Sequence, residues 1–416
     1  MLFLLPIAFR NLFRNSRRSF FTLGSLVVGL TIMTALRGYV NAVQTAQIDS
    51  VTQGFTGFLK VTKKGYMKNI LSNPLTLNFE DSKELREKIL AVPHVKGLAP
   101  RISVSGLCST PETPNKAGKS NFLSATGIEP ESEKNVSPKF WEWISEGKML
   151  SENEDLVLNQ DIAKGLDIKL SDTTSDSATW PAFLGSDIDG AFNGELVRPV
   201  GFLISAIPGD KRTALMSLPL AQKILRLPGK ITEYTLSVTN VEFVQEVKKN
   251  LQSTLSDEFE VSAWDEILPF MKDLQSNIDY IFGIISLVFL TIVGLGVVNT
   301  LFMNVLERTR EIGTLLAIGF KKSHILFLFI FEGSCVGLIG GILGLTVGVL
   351  VVTVLHTTGI SISAPGSTLA MVLRPEVSVM YLFKTLISTV IGCMVLSVLP
   401  AFKASSLNPI EALQSI

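Results

Sequence analysis

Charged residues are scarce in this sequence, and cysteine and histidine are scarcer still. Asp, Glu, Lys and Arg together make up 18% of the 416 residues, whereas a typical soluble domain has about a quarter. Acidic and basic residues are equal in number, at 37 each, so the chain lacks the basic surface that a nucleic-acid partner requires. The three cysteines and three histidines are widely separated, which leaves no obvious disulfide pair and no metal-binding cluster.

Motifs of common catalytic sites are missing as well. The sequence contains neither GxSxG nor HExxH, which mark serine hydrolases and zinc proteases. The stretch AGKS at 117–120 resembles the end of a phosphate-binding loop. Such a loop requires a glycine five positions before its second glycine, and Thr113 occupies that position here. We therefore expect no catalysis, no metal and no cofactor within this chain.

Long apolar runs are abundant, and the mean hydropathy is +0.38. A bilayer core of roughly 30 Å is crossed by about 20 apolar helical residues. Four segments meet this requirement, and we call them spans 1 to 4: residues 19–40, 278–305, 325–356 and 379–402. The sequence therefore predicts an α-helical membrane protein with four transmembrane helices.

The segment 41–275 between spans 1 and 2 has the composition of an aqueous domain. Strand–helix–strand patterns occur near both of its ends, which predicts a mixed α/β domain with two subdomains. The sequence Asp81-Ser-Lys-Glu84 resembles a capping box that opens a helix, and Gly165 is a predicted helix end. A short loop, 357–378, separates spans 3 and 4.

Lysine and arginine near the ends of the spans predict the orientation of the chain. They cluster at 10–18, at 306–324 and after span 4, whereas loop 357–378 contains only Arg374. We expect a cytoplasmic amphipathic helix at 1–18, a cytoplasmic tail at 403–416 and a domain 41–275 outside the cytoplasm. A cleaved secretory signal at 10–36 is the alternative. Its apolar run is long for a signal, and no small-x-small site follows it promptly.

The charged segment 306–324 separates two strongly apolar spans. As a helix it places Glu307, Arg310, Glu311 and Thr314 on one face, and it allows Arg308 and Glu311 to pair. The simpler interpretation is a solvated loop that only fixes topology. That interpretation does not require the glutamates, so we predict an amphipathic helix on the cytoplasmic surface that docks onto a partner.

Ionisable residues inside the spans raise the alternative of an ion-coupled carrier. Glu332 lies one to two turns into span 3, and Lys384 lies near the outer end of span 4, where it can snorkel. Glu332, however, lies toward the cytoplasmic end of span 3, and four spans are few for an ion-coupled carrier. The membrane part alone therefore gives no indication of an energy source for transport.

The sequence resembles the FtsX-like permeases, which are the macrolide-exporter-type (type VII) ABC transporter permeases. The resemblance is closest to the lipoprotein-releasing (LolC/LolE-like) branch, and it departs from the family pattern at Ser171, where glycine is usual. It rests on five stretches: NTLFMNVLERTREIGTLLAIGFKKSHI (299–325), IAFRNLFRNSRRSFFTLGSLVVGL (7–30), LPAFKASSLNPIEAL (399–413), TGFLKVTKKGY (56–66) and AWDEILPFMKDL (263–274).

This resemblance implies a MacB-type periplasmic core domain at 41–275 and a coupling helix at 306–324 that engages an ABC ATPase. The chain carries no Walker motif, so we expect the ATPase to be a separate cytoplasmic subunit, present in two copies, that binds ATP and Mg. A second permease, identical or paralogous, completes the complex in the bacterial inner membrane. ATP-driven closure would transmit force across the membrane. The expected ATPase-coupling residues are Glu307, Arg308, Arg310, Glu311 and Gly313.

Glycines in span 3 predict close helix packing, within the chain or between two chains, because small residues let helix backbones approach each other in lipid. They are Gly333, Gly337, Gly340, Gly341, Gly344 and Gly348. The alternative is that membrane helices simply tolerate glycine.

Lipoprotein extraction from the inner membrane is the leading hypothesis for the cargo. Apolar side chains of spans 1 and 2 would line a cavity for the lipid, unless they only face the bilayer. The expected lining residues are Phe20, Leu23, Leu26, Val27, Ile281, Ile285 and Val288. Two alternatives are efflux of peptides or drugs through a tripartite pump and regulation of a cell-wall hydrolase. The corresponding partners are a periplasmic lipoprotein carrier or a membrane-fusion protein, besides membrane lipids.

Overall fold

The computed structural model describes residues 16–72, 74–112, 117–172, 177–204, 211–363 and 370–407. The predicted N-terminal helix, up to residue 15, and the end of the tail, from residue 408, lie outside these residues. The chain divides into two compact units. The helical unit comprises residues 1–44, 274–361 and 372–416, and the α/β unit comprises 45–273 and 362–371.

The helices include four that are long and apolar enough to cross a membrane. Spans 1 to 3 each fall within one long helix, and span 4 covers two consecutive helices, Val379–Leu396 and Val398–Ser405. In chain order the helices are α1 Ser16–Thr52, α2 Lys83–Leu90, α3 Pro130–Val136, α4 Lys139–Glu142, α5 Gln160–Leu166, α6 Leu218–Leu225, α7 Val244–Thr254, α8 Trp264–Ile267, α9 Pro269–Glu307, α10 Thr309–Ala317, α11 Lys322–Thr358, α12 Val379–Leu396 and α13 Val398–Ser405.

In chain order the described strands are β1 Leu59–Lys63, β2 Phe79–Glu80, β3 Val95–Ser109, β4 Ser120–Ile128, β5 Ile144–Gly147, β6 Asp155–Asn159, β7 Ala182–Ser186, β8 Phe192–Leu196, β9 Arg198–Leu203, β10 Thr213–Ser217, β11 Lys230–Ile231, β12 Glu233–Val238, β13 Phe259–Ala263, β14 Ile360–Ser363 and β15 Ala370–Leu373. Eleven of them form one mixed sheet in the order β13-β1-β12-β3-β4-β10-β6-β9-β5, with β7 pairing with β3 and β8 pairing with β7. The pairs β2–β11 and β14–β15 form two separate two-stranded sheets. The eleven-stranded sheet continues through both segments in which the sequence predicts separate subdomains.

The central strands of this sheet are buried on both faces. Along β6, Leu156 and Leu158 belong to one apolar cluster, and Val157 between them belongs to a second. Because successive side chains of a strand point to opposite faces, the two clusters lie on opposite sides of the sheet. The second cluster includes Phe140 of α4 and Trp143, which follows that helix. Strands that are buried on both faces have continuous apolar runs instead of alternating apolar and polar residues.

Two helix ends of the α/β unit differ from the sequence prediction. Ser82, and not Asp81, caps α2, since its Oγ accepts a hydrogen bond from the Leu85 amide at 3.2 Å. Helix α5 continues through Gly165 and ends at Asp167, whose φ is 57°. Aspartate tolerates this left-handed conformation because its short polar side chain can form local hydrogen bonds, so glycine is not required there.

Among the described residues of the α/β unit, two ion pairs have both partners buried. Arg101 of β3 donates from Nε to Oε2 of Glu133 in α3 at 3.0 Å, and from Nη2 to the Ser137 hydroxyl at 2.7 Å. The Nζ of Lys60 in β1 lies 2.8 Å from Oε2 of Glu233 in β12. Buried charges are tolerated when they are paired and hydrogen-bonded, and both pairs meet this condition.

Candidate coupling site and helix bundle

The predicted coupling segment contains one short helix, α10, between α9 and α11. The Arg308 amide still donates to the carbonyls of Asn304 and Val305, at 3.2 and 3.3 Å, so the backbone turns into α10 with little interruption. At the other end, Gly319 has a φ of 102°. The amides of Gly319 and Phe320 donate to Leu316 and Leu315, at 3.1 and 3.0 Å. A glycine in this conformation ends a helix without steric cost.

One face of α10 is fixed to the helical unit. Ile312 is 4% exposed and belongs to an apolar cluster that joins the end of α9, the beginning of α11 and helix α13. Its partners are Val305, Ile325, Phe329, Ala401 and Ala404. A displacement of α10 therefore has to be shared by the helices that enclose Ile312, because well-packed apolar groups transmit strain.

The opposite face of α10 is polar and accessible. Arg310 and Thr314 are exposed and Glu311 is half-buried, and the exposed Glu307 precedes this face as the last residue of α9. The expected pair is present, with Arg308 Nε 3.0 Å from Glu311 Oε2. Gly313 is the exception among the five expected coupling residues, since it is buried beside Ile312 and is not part of the accessible surface.

Exposed apolar side chains flank this polar face. Leu306 is 63% exposed and Ile318 is 75% exposed, just before and just after α10. A surface that combines accessible charges with accessible apolar groups is typical of protein docking sites.

The six glycines of α11 form two rows that meet two different helices of the same chain. Gly340, Gly344 and Gly348 lie against Leu26, Leu30 and Thr34 of α1. Gly333, Gly337 and Gly341 lie against residues 386–397 at and beyond α12. Each row has a spacing of four residues, which keeps its members on one helix face. Helix α11 is therefore a central helix of the bundle, and these glycines pack within the chain.

The structure separates the seven residues expected to line a cargo cavity. Leu26 is 1% exposed, and Leu23 and Leu26 contact Gly340 while Val27 contacts Gly344. Leu26 is therefore buried in the α1–α11 interface, whereas Leu23 and Val27 are half-buried beside it. The other four expected residues are accessible: Phe20, Ile281, Ile285 and Val288.

Polar contacts between the membrane helices were not predicted from the sequence. Arg37 of α1 donates to Asp279 of α9 at 2.7 Å, and its guanidinium lies 5.2 Å from the ring centre of Phe282 and 5.9 Å from that of Tyr381 in α12. Near the other end of α9, Asn304 donates to Glu332 of α11 at 3.2 Å. Interhelical polar contacts of this kind stabilise helix packing in lipid.

Comparison with known families identifies the helical part of the chain. Residues 283–409 match the model of the FtsX-like permease C-terminal domain. This part of the chain is similar to FtsX-like permeases. The matched residues contain α10, both glycine rows of α11 and helices α12 and α13. The predicted coupling segment and the central helix of the bundle thus both lie within the matched part of the chain.

Curated proteins similar to this chain are named as ATP-binding/permease proteins and as an ABC transporter permease. The macrolide export ATP-binding/permease protein MacB of Nitrobacter winogradskyi is 23% identical over 98% of this chain and 59% of its own length. MacB of Hyphomonas neptunium is 28% identical over 50% of this chain and 31% of its own. An uncharacterized ABC transporter permease of Methanocaldococcus jannaschii is 25% identical over 49% and 51%, respectively. The chain therefore spans less than two thirds of the length of these relatives.

Two solved structures resemble part of this chain. The periplasmic region of MacB from Actinobacillus actinomycetemcomitans has a TM-score of 0.34 and 12% identity, and covers 51% of this chain and 92% of its own. The extracellular domain of the noncanonic ABC-type transporter YknZ from Gram-positive bacteria has a TM-score of 0.32 and 11% identity, and covers 49% and 98%.

Proposed function

We propose that this FtsX-like chain is the permease subunit of an ABC transporter and that a separate cytoplasmic ATPase, present in two copies, engages the accessible face of α10. The observation that carries the proposal is the structure of α10 itself. Ile312 fixes one face to three helices of the bundle, while Arg310 remains exposed on the other face and Glu307 remains exposed at the end of α9, just before it. An element of this kind can receive a force from a partner and pass it to the membrane helices.

The proposed orientation places α10 and both termini in the cytoplasm and the α/β unit in the periplasm of a bacterial inner membrane. Exposed Lys321 and Lys322 follow α10 directly, as the positive-inside rule requires of a cytoplasmic segment. Two permeases, identical or paralogous, would pair with the two ATPase copies. ATP binding and hydrolysis in those subunits would then drive work on the periplasmic side by mechanotransmission.

Charge reversal on α10, and at the residue that ends α9 just before it, tests this proposal. We expect Glu307→Lys and Arg310→Glu to weaken co-purification of the ATPase by about tenfold or more, since about 1.4 kcal/mol of lost interaction corresponds to a factor of ten. Membrane insertion should be unaffected. Glu246→Lys, an exposed charge reversal on α7 of the α/β unit, is the matched control. Unchanged ATPase binding and ATP turnover in Glu307→Lys and Arg310→Glu would contradict the proposal.

For the cargo, export of an amphipathic compound is the candidate that the relatives favour, because several are named macrolide export proteins. Release of lipoproteins is the second candidate. It draws support from accessible apolar side chains on α1 and α9, with Phe20 73% exposed and Ile281 55% exposed. A membrane-fusion protein would be the partner in the first case and a periplasmic lipoprotein carrier in the second.

Depletion of the protein distinguishes the two cargoes. Retention of lipoproteins in the inner membrane would support lipoprotein release. Sensitivity to macrolides with normal lipoprotein sorting would support export.

A further inference from the structure

One carboxyl group buried in the helical unit has an oxygen without a hydrogen-bond partner. Glu332 of α11 is 1% exposed. Its Oε1 accepts a hydrogen bond from Asn304 of α9 at 3.2 Å, whereas its Oε2 has no hydrogen-bond partner. An ionised carboxylate with a single amide donor is strongly disfavoured in such an apolar environment. The group therefore requires a further ligand.

A small cavity, about 10 Å³ in volume, lies beside this carboxyl group. Its polar lining comes from three helices: Thr22 of α1, Thr300 and Asn304 of α9, and Glu332 of α11. The hydroxyls of Thr22 and Thr300 are 2.6 Å apart, close enough for either to donate to the other, and the Thr300 hydroxyl also lies 3.0 Å from the Gly296 carbonyl oxygen. A cavity of roughly this volume, with two to four polar partners, holds one water molecule.

We propose that this cavity binds one water molecule and that Glu332 binds one proton, so that the neutral carboxylic acid donates from Oε2 to the water. Protonation adds one proton to the carboxylate, and no other bond changes. The site links α1, α9 and α11 through uncharged hydrogen bonds, which are the only interhelical polar contacts that lipid tolerates without a compensating ion.

Other charged and titratable groups near Glu332 leave this assignment intact. Arg308 lies within electrostatic range of the carboxyl group, but its guanidinium pairs with Glu311 on α10 at 3.0 Å. Cys335 lies one turn further along α11 and is also within range of Glu332. A thiol near the carboxyl group offers no compensating positive charge, so a proton is the simplest cation for this site.

The site lies close to the coupling segment along the chain. Asn304 precedes Arg308, the residue before α10, by a single helical turn. Movement of α10 would therefore alter the Asn304–Glu332 contact, and proton binding would be linked to transport. This consequence rests on the proposed function, whereas the experiment below uses the full chain without any ATPase and tests the site alone.

Infrared difference spectroscopy of the chain reconstituted in lipid nanodiscs tests the proposal. At neutral pH we expect a protonated-carboxyl C=O band in the wild type that is lost in Glu332→Gln, a neutral replacement of nearly the same shape. The band should shift in Thr300→Val, which removes one hydroxyl partner of the cavity. Thr291→Val is the matched control, because the Thr291 hydroxyl only donates to Leu287 of its own helix; it should leave the band in place.

Three results would overturn the proposal. The first is the absence of any band sensitive to Glu332→Gln at neutral pH. The second is a shift in Thr300→Val no larger than in Thr291→Val, which would exclude the cavity water. The third is stabilisation of the wild type by sodium that Glu332→Gln abolishes, which would identify an ionised carboxylate with a bound metal ion. Glutamate labelled with ¹³C at the side-chain carboxyl group shows whether the band comes from a glutamate, and its shift in Thr300→Val then places that glutamate beside the cavity, so the test stands even if Glu332→Gln fails to fold.

Discussion

Replacing Gly344 with alanine is expected to force α1 and α11 apart. The new Cβ would lie 2.8 Å from Cβ of Leu30 and 3.2 Å from both Cα and the carbonyl oxygen of Val27. Two of these three contacts are with the backbone of α1, which cannot rotate away as the tip of a side chain can. Overpacking of a close-packed interior costs about 1–3 kcal/mol. We expect a loss of that size in the free energy of unfolding.

The measurement is an SDS titration of the purified chain in mixed micelles, followed by the helical circular dichroism signal. Gly296→Ala in α9 is the matched control, because its new Cβ would have no atom within 4 Å. Alanine is the better helix former by about 1 kcal/mol in water, so this variant should be as stable as the wild type or slightly more stable.

Two outcomes would refute the intrachain role of the glycine rows. If Gly344→Ala and Gly296→Ala unfold alike, the glycines of α11 are merely tolerated in a membrane helix. If Gly344→Ala leaves unfolding of the single chain unchanged but abolishes association of two chains, the row packs between subunits. The contacts of Gly344 with α1 of its own chain predict neither outcome.

Three further predictions concern the α/β unit. Glu133→Gln leaves the buried Arg101 without its counter-ion and should destabilise the unit by about 3–5 kcal/mol in chemical denaturation, whereas Glu195→Gln, which breaks an exposed pair, should cost less than about 1 kcal/mol. Burial raises the pKa of the Cys108 thiol to about 12, so in a variant that keeps only this cysteine we expect maleimide labelling only after unfolding. Burial alone would raise the pKa of Asp155, but hydrogen bonds from the Ser151 and Glu152 backbone and from Arg198 outweigh it and lower the pKa. The stability that Asp155 contributes is therefore present above its unfolded pKa of about 3.9 and is lost as the pH falls below it. Acid titration of Asp155→Asn should show a smaller loss of stability than the wild type, and an identical loss would contradict this.

The membrane helices and α10 could be predicted because their signals are local. Span length depends on a continuous apolar run, and the polar face of α10 depends on residues three and four positions apart. The structure accordingly shows four long apolar helices and an exposed Arg310 opposite a buried Ile312. The hydrogen bond between Arg308 and Glu311 follows from the same local spacing.

Contacts between distant parts of the chain could not be predicted in this way. Arg37 and Asp279 are separated by 242 residues, and Asn304 and Glu332 by 28. No periodicity relates such residues; only the packing of helices brings them together. For the same reason, the position of Leu26 could not be predicted. Its apolar side chain would fit a lipid-facing cavity and a helix interface equally well, and only its contact with Gly340 shows that it lies in the interface.

The arrangement of α11 explains how a small element such as α10 could act on the whole bundle. Helix α10 leads into α11 through residues 318–321, and Ile312 belongs to the same apolar cluster as Ile325 and Phe329 at the beginning of α11. Along α11, one glycine row contacts α1 and the other contacts α12. At Gly344 and Gly337 these contacts include backbone atoms of Val27 and Val390, so a shift of α11 there meets the neighbouring backbones and not only side chains that can change rotamer. If α10 receives a force as proposed, that force would reach α1 and α12 through α11.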